Sequence, residues 1–114
     1  MIELDSARQD MMWRCLDFIY PSYKKGKKKF EEPNGKVSRW NLEEFMKMQH
    51  KRWLGNYEPL RFMYLLEQFG VVELSWEKAT PLRSYQQVTI TLKGLKFLDD
   101  WKLSPDYAWE EVKK

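Results

Sequence analysis

A chain of 114 residues is long enough for one domain with one hydrophobic core and too short for two. Hydrophobic residues make up 43% of it and charged residues 32%, which is typical of a folded protein and excludes a disordered one. The net charge is only +3, but it is unevenly spread, since residues 24–29 read KKGKKK whereas the C-terminal segment is mildly acidic.

The composition also bears on location and cofactors. No apolar run approaches the roughly 20 residues that span a bilayer, and the first ten residues lack the basic and apolar regions of a secretory signal. The one cysteine, Cys15, cannot form an internal disulfide, and with the one histidine, His50, it cannot complete a Cys/His zinc site. We therefore expect a cytoplasmic protein without membrane contact, metal or cofactor.

The first helix is predicted over residues 6–20. Ser6 and Gln9 match a capping box, which is a signature of a helix N-terminus. Apolar side chains then recur with the helical period, at Met12, Cys15, Leu16 and Ile19. Residues 21–36 contain Pro, Gly, Asn and many lysines without apolar periodicity, so this lysine-rich loop is predicted to be solvated.

A short extended segment, KVSRW at residues 36–40, is predicted to precede the second helix at 42–53. Asn41 and Glu44 repeat the capping-box arrangement at the start of that helix. The apolar side chains Leu42, Phe45 and Met46 share one of its faces.

The third helix is predicted over residues 57–69. Asn56 can serve as its N-cap, Pro59 falls in its first turn, and Gly70 follows its end as a C′ glycine commonly does. Its apolar side chains form a buried stripe at i, i+3, i+4 and i+7, namely Phe62, Leu65, Leu66 and Phe69.

Two antiparallel strands are predicted next, VVELSW at 71–76 and YQQVTI at 85–90, joined by the polar connection 77–84. A β-branched run then passes directly into a fourth helix. We expect the Thr91 hydroxyl to cap that helix by accepting from the Gly94 N–H. Because glycine within a helix costs about 1 kcal/mol relative to alanine, Gly94 predicts a close approach of helix to sheet.

The segment Ser104–Asp106 predicts a short terminal helix with a serine cap, a proline at its first position and an acidic first turn. The aromatic residues Trp101, Tyr107 and Trp109 either pack a dimer interface or fold back on the first helix. Other large side chains are predicted to lie in the core, namely the aromatics Phe62, Phe69, Trp76 and Phe97 and the gap-filling Met11, Met12, Met46, Met48 and Met63.

Two stretches resemble a known superfamily. LLEQFGVVELSW at 65–76, followed by ITLKGLKFL at 90–98, is similar to the end of the recognition helix, the first wing strand and the strand-to-helix junction of winged-helix regulators of the PadR and MarR type. The likeness covers about residues 41–102. It implies an α+β winged helix-turn-helix fold, a single domain over 1–114 with a three-helix core, a β-hairpin wing and a C-terminal helical extension at 103–114.

The resemblance implies a transcriptional regulator that binds double-stranded DNA as a small homodimer, with the third helix in the major groove. Major-groove contacts are expected from Tyr57, Arg61, Tyr64 and Gln68. Backbone and wing contacts are expected from Lys47, Lys51, Arg52, Lys78, Arg83, Lys27 and Lys28. Dimerisation is expected to involve Trp101, Tyr107 and Trp109.

Other functions stay open. Glu58 and Glu67 on the third helix would repel phosphates, so a protein-interaction module using Tyr57, Met63 and Tyr64 is an alternative. The lysine-rich loop could instead bind RNA or DNA without sequence preference. An enzyme is not expected, because Cys15 lies on the apolar side of its helix and no catalytic cluster accompanies it.

Overall fold

The computed structural model describes residues 3–21, 35–49 and 57–114. These residues form an α+β fold with five helices and one three-stranded antiparallel sheet. The helices are α1 (Ser6–Ile19), α2 (Arg39–Gln49), α3 (Tyr57–Gln68), α4 (Leu92–Leu103) and α5 (Pro105–Val112). The strands are β1 (Lys36–Ser38), β2 (Val72–Thr80) and β3 (Arg83–Ile90). Most of the predicted lysine-rich loop and the end predicted for the second helix lie outside the described residues.

The order of strands in the sheet is β1-β3-β2. The short β1, which lies between α1 and α2 in the chain, pairs with the inner half of β3, with Val37 opposite Val88. The β2–β3 hairpin follows α3 directly. This arrangement is compatible with a winged-helix layout.

The hairpin is longer than predicted, and the predicted polar connection at 77–84 is wrong. Pairing continues from Val72 opposite Ile90 to Thr80 opposite Arg83, with an irregularity just before the turn. Only Pro81 and Leu82 form the turn. The side chains in the outer half of the hairpin are exposed on both faces. The sequence there has no apolar alternation from which the strands could be predicted.

The core draws side chains from all five helices and from the sheet. The predicted burial of Phe62, Phe69 and Phe97 is confirmed. Trp76, also predicted to be in the core, is 68% exposed. It shares a sheet face with the buried Val72, but it lies farther along the hairpin, where no buried side chain accompanies it on β2.

The gap-filling role predicted for the methionines is confirmed for Met11, Met12, Met46 and Met63, which are all buried. Met48 is an exception, since it is 76% exposed. It lies two positions after the buried Met46, which puts it on the outward side of α2.

The N-cap residues of the first two helices differ from the predicted ones. The Asp5 side chain, not Ser6, caps α1 by accepting from the Arg8 N–H at 2.9 Å. The α2 helix begins earlier than expected, because the Ser38 hydroxyl oxygen accepts from the Asn41 N–H at 3.1 Å. The extended segment therefore stops at Ser38 rather than continuing through KVSRW.

The end of α3 and the start of α4 agree with the sequence. Gly70 has a φ of 80°, and the hydrogen bonds from Gly70 N to Glu67 O and from Val71 N to Leu66 O close a Schellman motif. Thr91 caps α4 by accepting from the Gly94 N–H at 3.1 Å, and its own hydroxyl donates to the Gly70 carbonyl at 2.6 Å. A Cβ atom on Gly94 would collide with the Val71 carbonyl oxygen, which confirms the close approach.

The predicted C-terminal helix is also confirmed, with Ser104 as its N-cap and Pro105 at its first position. Its Trp109 packs on Phe69, which directly follows α3, with ring centroids 5.4 Å apart. None of the helices in the described part of the chain is both long enough and apolar enough to cross a membrane.

Candidate nucleic-acid interface

The outer face of α3 presents three of the four residues predicted to enter the major groove. Arg61, Tyr64 and Gln68 are spaced at i, i+3 and i+7 and are all exposed, with Tyr64 at 44%. The opposite side of the helix is buried through Met63 and Leu66. The fourth residue, Tyr57, begins the helix, and its side chain lies outside the described part of the structure.

The acidic side chain nearest the start of α3 is engaged within the chain. Arg8 of α1 donates from Nη2 to Glu58 Oε1 at 2.9 Å, and it also contacts Asp5 at 3.3 Å. The hydrogen bond to Glu58 is the main cause of a raised pKa of Arg8. Because Arg8 supplies a neighbouring positive charge, Glu58 repels phosphate less than the sequence alone predicts.

The end of α2 contributes Lys47, which is exposed and pairs with Glu44 at 3.3 Å. An exposed pair of this kind contributes little to stability, about 0–1 kcal/mol, so a phosphate can compete for the ammonium group. The other predicted backbone contacts in this region, Lys51 and Arg52, and those of the loop, Lys27 and Lys28, lie outside the described residues.

The hairpin brings two cations to its outer end. Lys78 lies opposite Ser84, and Arg83 lies opposite Thr80 beside the turn. Both side chains are exposed, and neither makes an ion pair with another described residue. Their position at the tip, as expected from sequence, leaves both free to meet a polyanion.

The exposed aromatic residues of the hairpin were not predicted. Trp76 is 68% exposed and Tyr85 is 39% exposed. Beside Trp76, Arg39 of α2 donates to the Gln86 side chain at 3.1 Å, and Gln86 lies opposite Trp76 in the ladder. Apolar alternation gives the side of a strand on which a residue lies, but it does not give the length over which that side is covered.

The three aromatic residues predicted to form a dimer interface have different surroundings. Trp101 stacks on Trp13 of α1 at a centroid distance of 6.2 Å, and Trp109 is only 5% exposed. Tyr107 is 49% exposed, and its ring centroid lies 5.5 Å from the Lys96 ammonium group. Two of the three therefore fold back on their own chain, and their part in dimerisation stays a prediction.

In the described part of the chain, the remaining chemically active groups lie apart from one another. Cys15 is fully buried, and its burial raises the pKa of its thiol far above the ordinary value, so the reactive thiolate is disfavoured. His50 lies outside the described residues. No cluster of three metal-ligating side chains occurs within residues 3–21, 35–49 and 57–114.

A groove of about 410 Å³ lies between α1 and α2, lined by Trp13, Phe18 and Phe45 among others. The indole N–H of Trp13 is buried and has no hydrogen-bond partner among the described residues. The groove also includes Pro21 and Gln49, each of which adjoins residues outside the described part of the chain.

No protein-family model matches the chain, and no curated protein matches it.

Proposed function

We propose that this protein is a winged-helix transcriptional regulator that binds double-stranded DNA at specific sequences. The observation that carries the proposal is the layout: β1, between α1 and α2, pairs with β3, and α3 leads directly into the β2–β3 hairpin. A helix with a free outer face beside a projecting hairpin suits the major groove and the adjacent backbone, respectively.

The outer face of α3 supplies side chains that can distinguish bases. Arg61 carries the fork of donors that binds the O6 and N7 atoms of guanine, and Gln68 can bind adenine in the same bidentate manner. Each such pair is worth about 1–3 kcal/mol of discrimination against the wrong base. Tyr64, between them on the same face, adds apolar area and a hydroxyl group.

The cations around α3 supply affinity that does not depend on sequence. Lys47 lies in the last turn of α2, and Lys78 and Arg83 lie near the tip of the hairpin. Each phosphate that such a cation neutralises releases condensed counterions, so binding weakens as salt rises. These contacts would hold the hairpin on the backbone while α3 contacts the bases.

A protein-interaction module is the second candidate. It is favoured by the weak charge of the exposed α3 face, where Arg61 is accompanied by the exposed Glu67. The surface proposed for it from sequence is smaller in the structure, since Met63 is fully buried. Under this alternative, duplex DNA would compete with the protein partner weakly or not at all.

The salt dependence of DNA binding tests the proposal. We expect the affinity for a labelled duplex, measured by fluorescence anisotropy, to fall steeply with salt. The double variant Lys78→Gln/Arg83→Gln should reduce the slope of log K against log salt by about two, because each phosphate contact contributes about one.

Matched controls are available at the far end of the chain. The double variant Lys102→Gln/Lys114→Gln removes the same charge from exposed positions outside the proposed interface. Equal slopes for the two double variants would contradict a hairpin on the DNA backbone. Absence of binding at low salt would reject DNA as the ligand and favour a protein partner.

A further inference from the structure

The two acidic side chains of α3 have different surroundings. Glu58, in the first turn, accepts from Arg8 Nη2 at 2.9 Å, so a positive charge lies beside its carboxylate. Glu67, in the last turn, is exposed. Among the described residues its carboxylate has no ion pair and no side-chain hydrogen bond. Glu67 therefore adds an available acceptor group to the helix proposed for the major groove.

Glu67 belongs to the same continuous surface as the residues proposed to contact bases. Tyr64 lies at the centre of this surface, with Arg61 three residues before it and Glu67 three residues after it. Three residues of an α-helix leave an angle of about 60° around its axis, so Arg61 and Glu67 flank Tyr64 on either side. All three side chains are exposed, as is Gln68. The surface therefore carries a cation at its N-terminal end and a carboxylate at its C-terminal end.

We propose that Glu67 is a specificity-determining residue of this interface, which accepts a hydrogen bond from the N4 amino group of a cytosine near the guanine bound by Arg61. The inference rests on the proposed DNA binding and deepens it, because it names a second base of the target. It also gives a role to an acidic side chain that the sequence alone marks only as a source of repulsion.

A carboxylate can distinguish bases because it has acceptor oxygens and no donor. In the major groove cytosine presents only a donor, its N4 amino group, which carboxylate side chains bind. Guanine and thymine present acceptors at O6, N7 and O4, and adenine presents the acceptor N7 beside its amino group. A carboxylate in the groove therefore favours cytosine over the other three bases.

The charge of Glu67 adds to this discrimination. It repels the phosphates of every duplex, so it weakens attachment to wrong sequences, where no hydrogen bond compensates for the repulsion. At the right sequence the amino group of cytosine offsets part of that cost. Specificity is a difference between two affinities, and an element that penalises the wrong partner increases it.

The helix sets the spacing between the two bases. Arg61 and Glu67 are six residues apart in α3, which is about 9 Å along the axis at about 1.5 Å per residue. Successive nucleotides of a DNA strand lie about 3.4 Å apart along the duplex. For a helix that lies along the groove, the cytosine should be two or three base pairs from the guanine.

Selection from a random-sequence duplex pool with Arg61→Ala and Glu67→Gln tests the assignment. The preference lost in Arg61→Ala identifies the position of the guanine. We expect Glu67→Gln to reduce the preference for cytosine about fivefold or more, at a second position two or three base pairs away. Glutamine keeps the length of the side chain but adds a donor, so it no longer excludes bases that present acceptors.

Glu58→Gln is the matched control, because it removes the same charge from the other end of α3. The Glu58 carboxylate is bound by Arg8, so this variant should raise the affinity for all duplexes alike and leave every base preference unchanged. An unchanged motif in Glu67→Gln, with the same uniform gain in affinity, would overturn the proposal, because Glu67 would then only repel phosphates. A wild-type chain that selects no motif would overturn the proposed function as well, so the two failures are distinguishable.

Discussion

Thr91 joins two structural elements through one hydroxyl group. The oxygen accepts from the Gly94 N–H at the start of α4, and the hydroxyl donates to the Gly70 carbonyl at the end of α3. This side chain therefore caps one helix and fixes the position of the preceding one. The cap was predictable because it depends on local sequence, whereas the contact with Gly70 was not, because it bridges 21 positions of the chain.

Replacing Thr91 with valine should destabilise the fold. The substitution keeps the side-chain shape but removes both hydrogen bonds, so we expect the free energy of unfolding to fall by about 1–2 kcal/mol. Chemical denaturation measures the change. Thr89→Val, at a half-buried threonine of β3, is the matched control and should change stability much less. Equal losses for the two variants would contradict the bridging role.

Cys15 should make stability depend on alkaline pH. Burial raises the pKa of its thiol in the folded state, so the folded protein keeps the proton when the unfolded chain loses it above about pH 8.5. The contribution is complete below that pH and is lost as pH rises, by up to about 1.4 kcal/mol per pH unit.

Denaturation of the wild type and Cys15→Ala between about pH 8.5 and 10 tests this dependence. The variant has a lower stability throughout because of the cavity it creates, but it should lack the thiol's share of the pH slope. Parallel curves would show that the thiol ionises as easily in the folded chain as in the unfolded one.

At the scale of elements, the close packing of α4 on the sheet depends on a missing side chain. Gly94 lies against the Val71 backbone and the Ile90 side chain, and the backbone carbonyl cannot move aside. The sequence predicts this contact because glycine destabilises a helix, so a glycine within a helical pattern indicates a position where a side chain would not fit. The residue against which it packs became known only from the structure.

The variant Gly94→Ala tests this contact, because the sign of the change in the free energy of unfolding distinguishes close packing from an exposed helix. In an exposed helix this change stabilises by up to about 1 kcal/mol, whereas here we expect a loss of about 1–3 kcal/mol from overpacking. Thermal unfolding measures it, with Lys102→Ala as a control at an exposed position of the same helix. A stabilised Gly94→Ala variant would show that α4 does not lie this close to the sheet.

The hairpin illustrates where sequence patterns stop being informative. Inner residues such as Val72 and Val88 are buried, and their apolar pattern predicts strands. Glu77 to Thr80 are exposed, and their polar pattern is typical of a connection. Trp76 lies between these regions, where its apolar character predicts burial but the side chain is exposed. In a solvent-exposed part of a sheet, backbone pairing depends on the partner strand. The side chains of the exposed segment therefore carry no pattern that predicts it.

At the scale of the whole molecule, the order of elements and most of the core were predictable from apolar periodicity and caps. The candidate interface was predictable only in part. The positions of Arg61, Tyr64 and Gln68 on one exposed face followed from helical spacing, and the structure agrees. The ion pair between Arg8 and Glu58 joins residues 50 positions apart, so no local pattern could indicate it.

Selection from a random-sequence duplex pool at two salt concentrations, followed by sequencing, tests the DNA-binding proposal most directly. We expect the wild type to retain a defined motif, and Arg61→Ala to keep salt-sensitive retention while losing preference at one base position. Gln68 should remain able to select at its own position in that variant. Retention without a motif would contradict sequence-specific recognition by α3, and no retention at low salt would contradict DNA binding altogether.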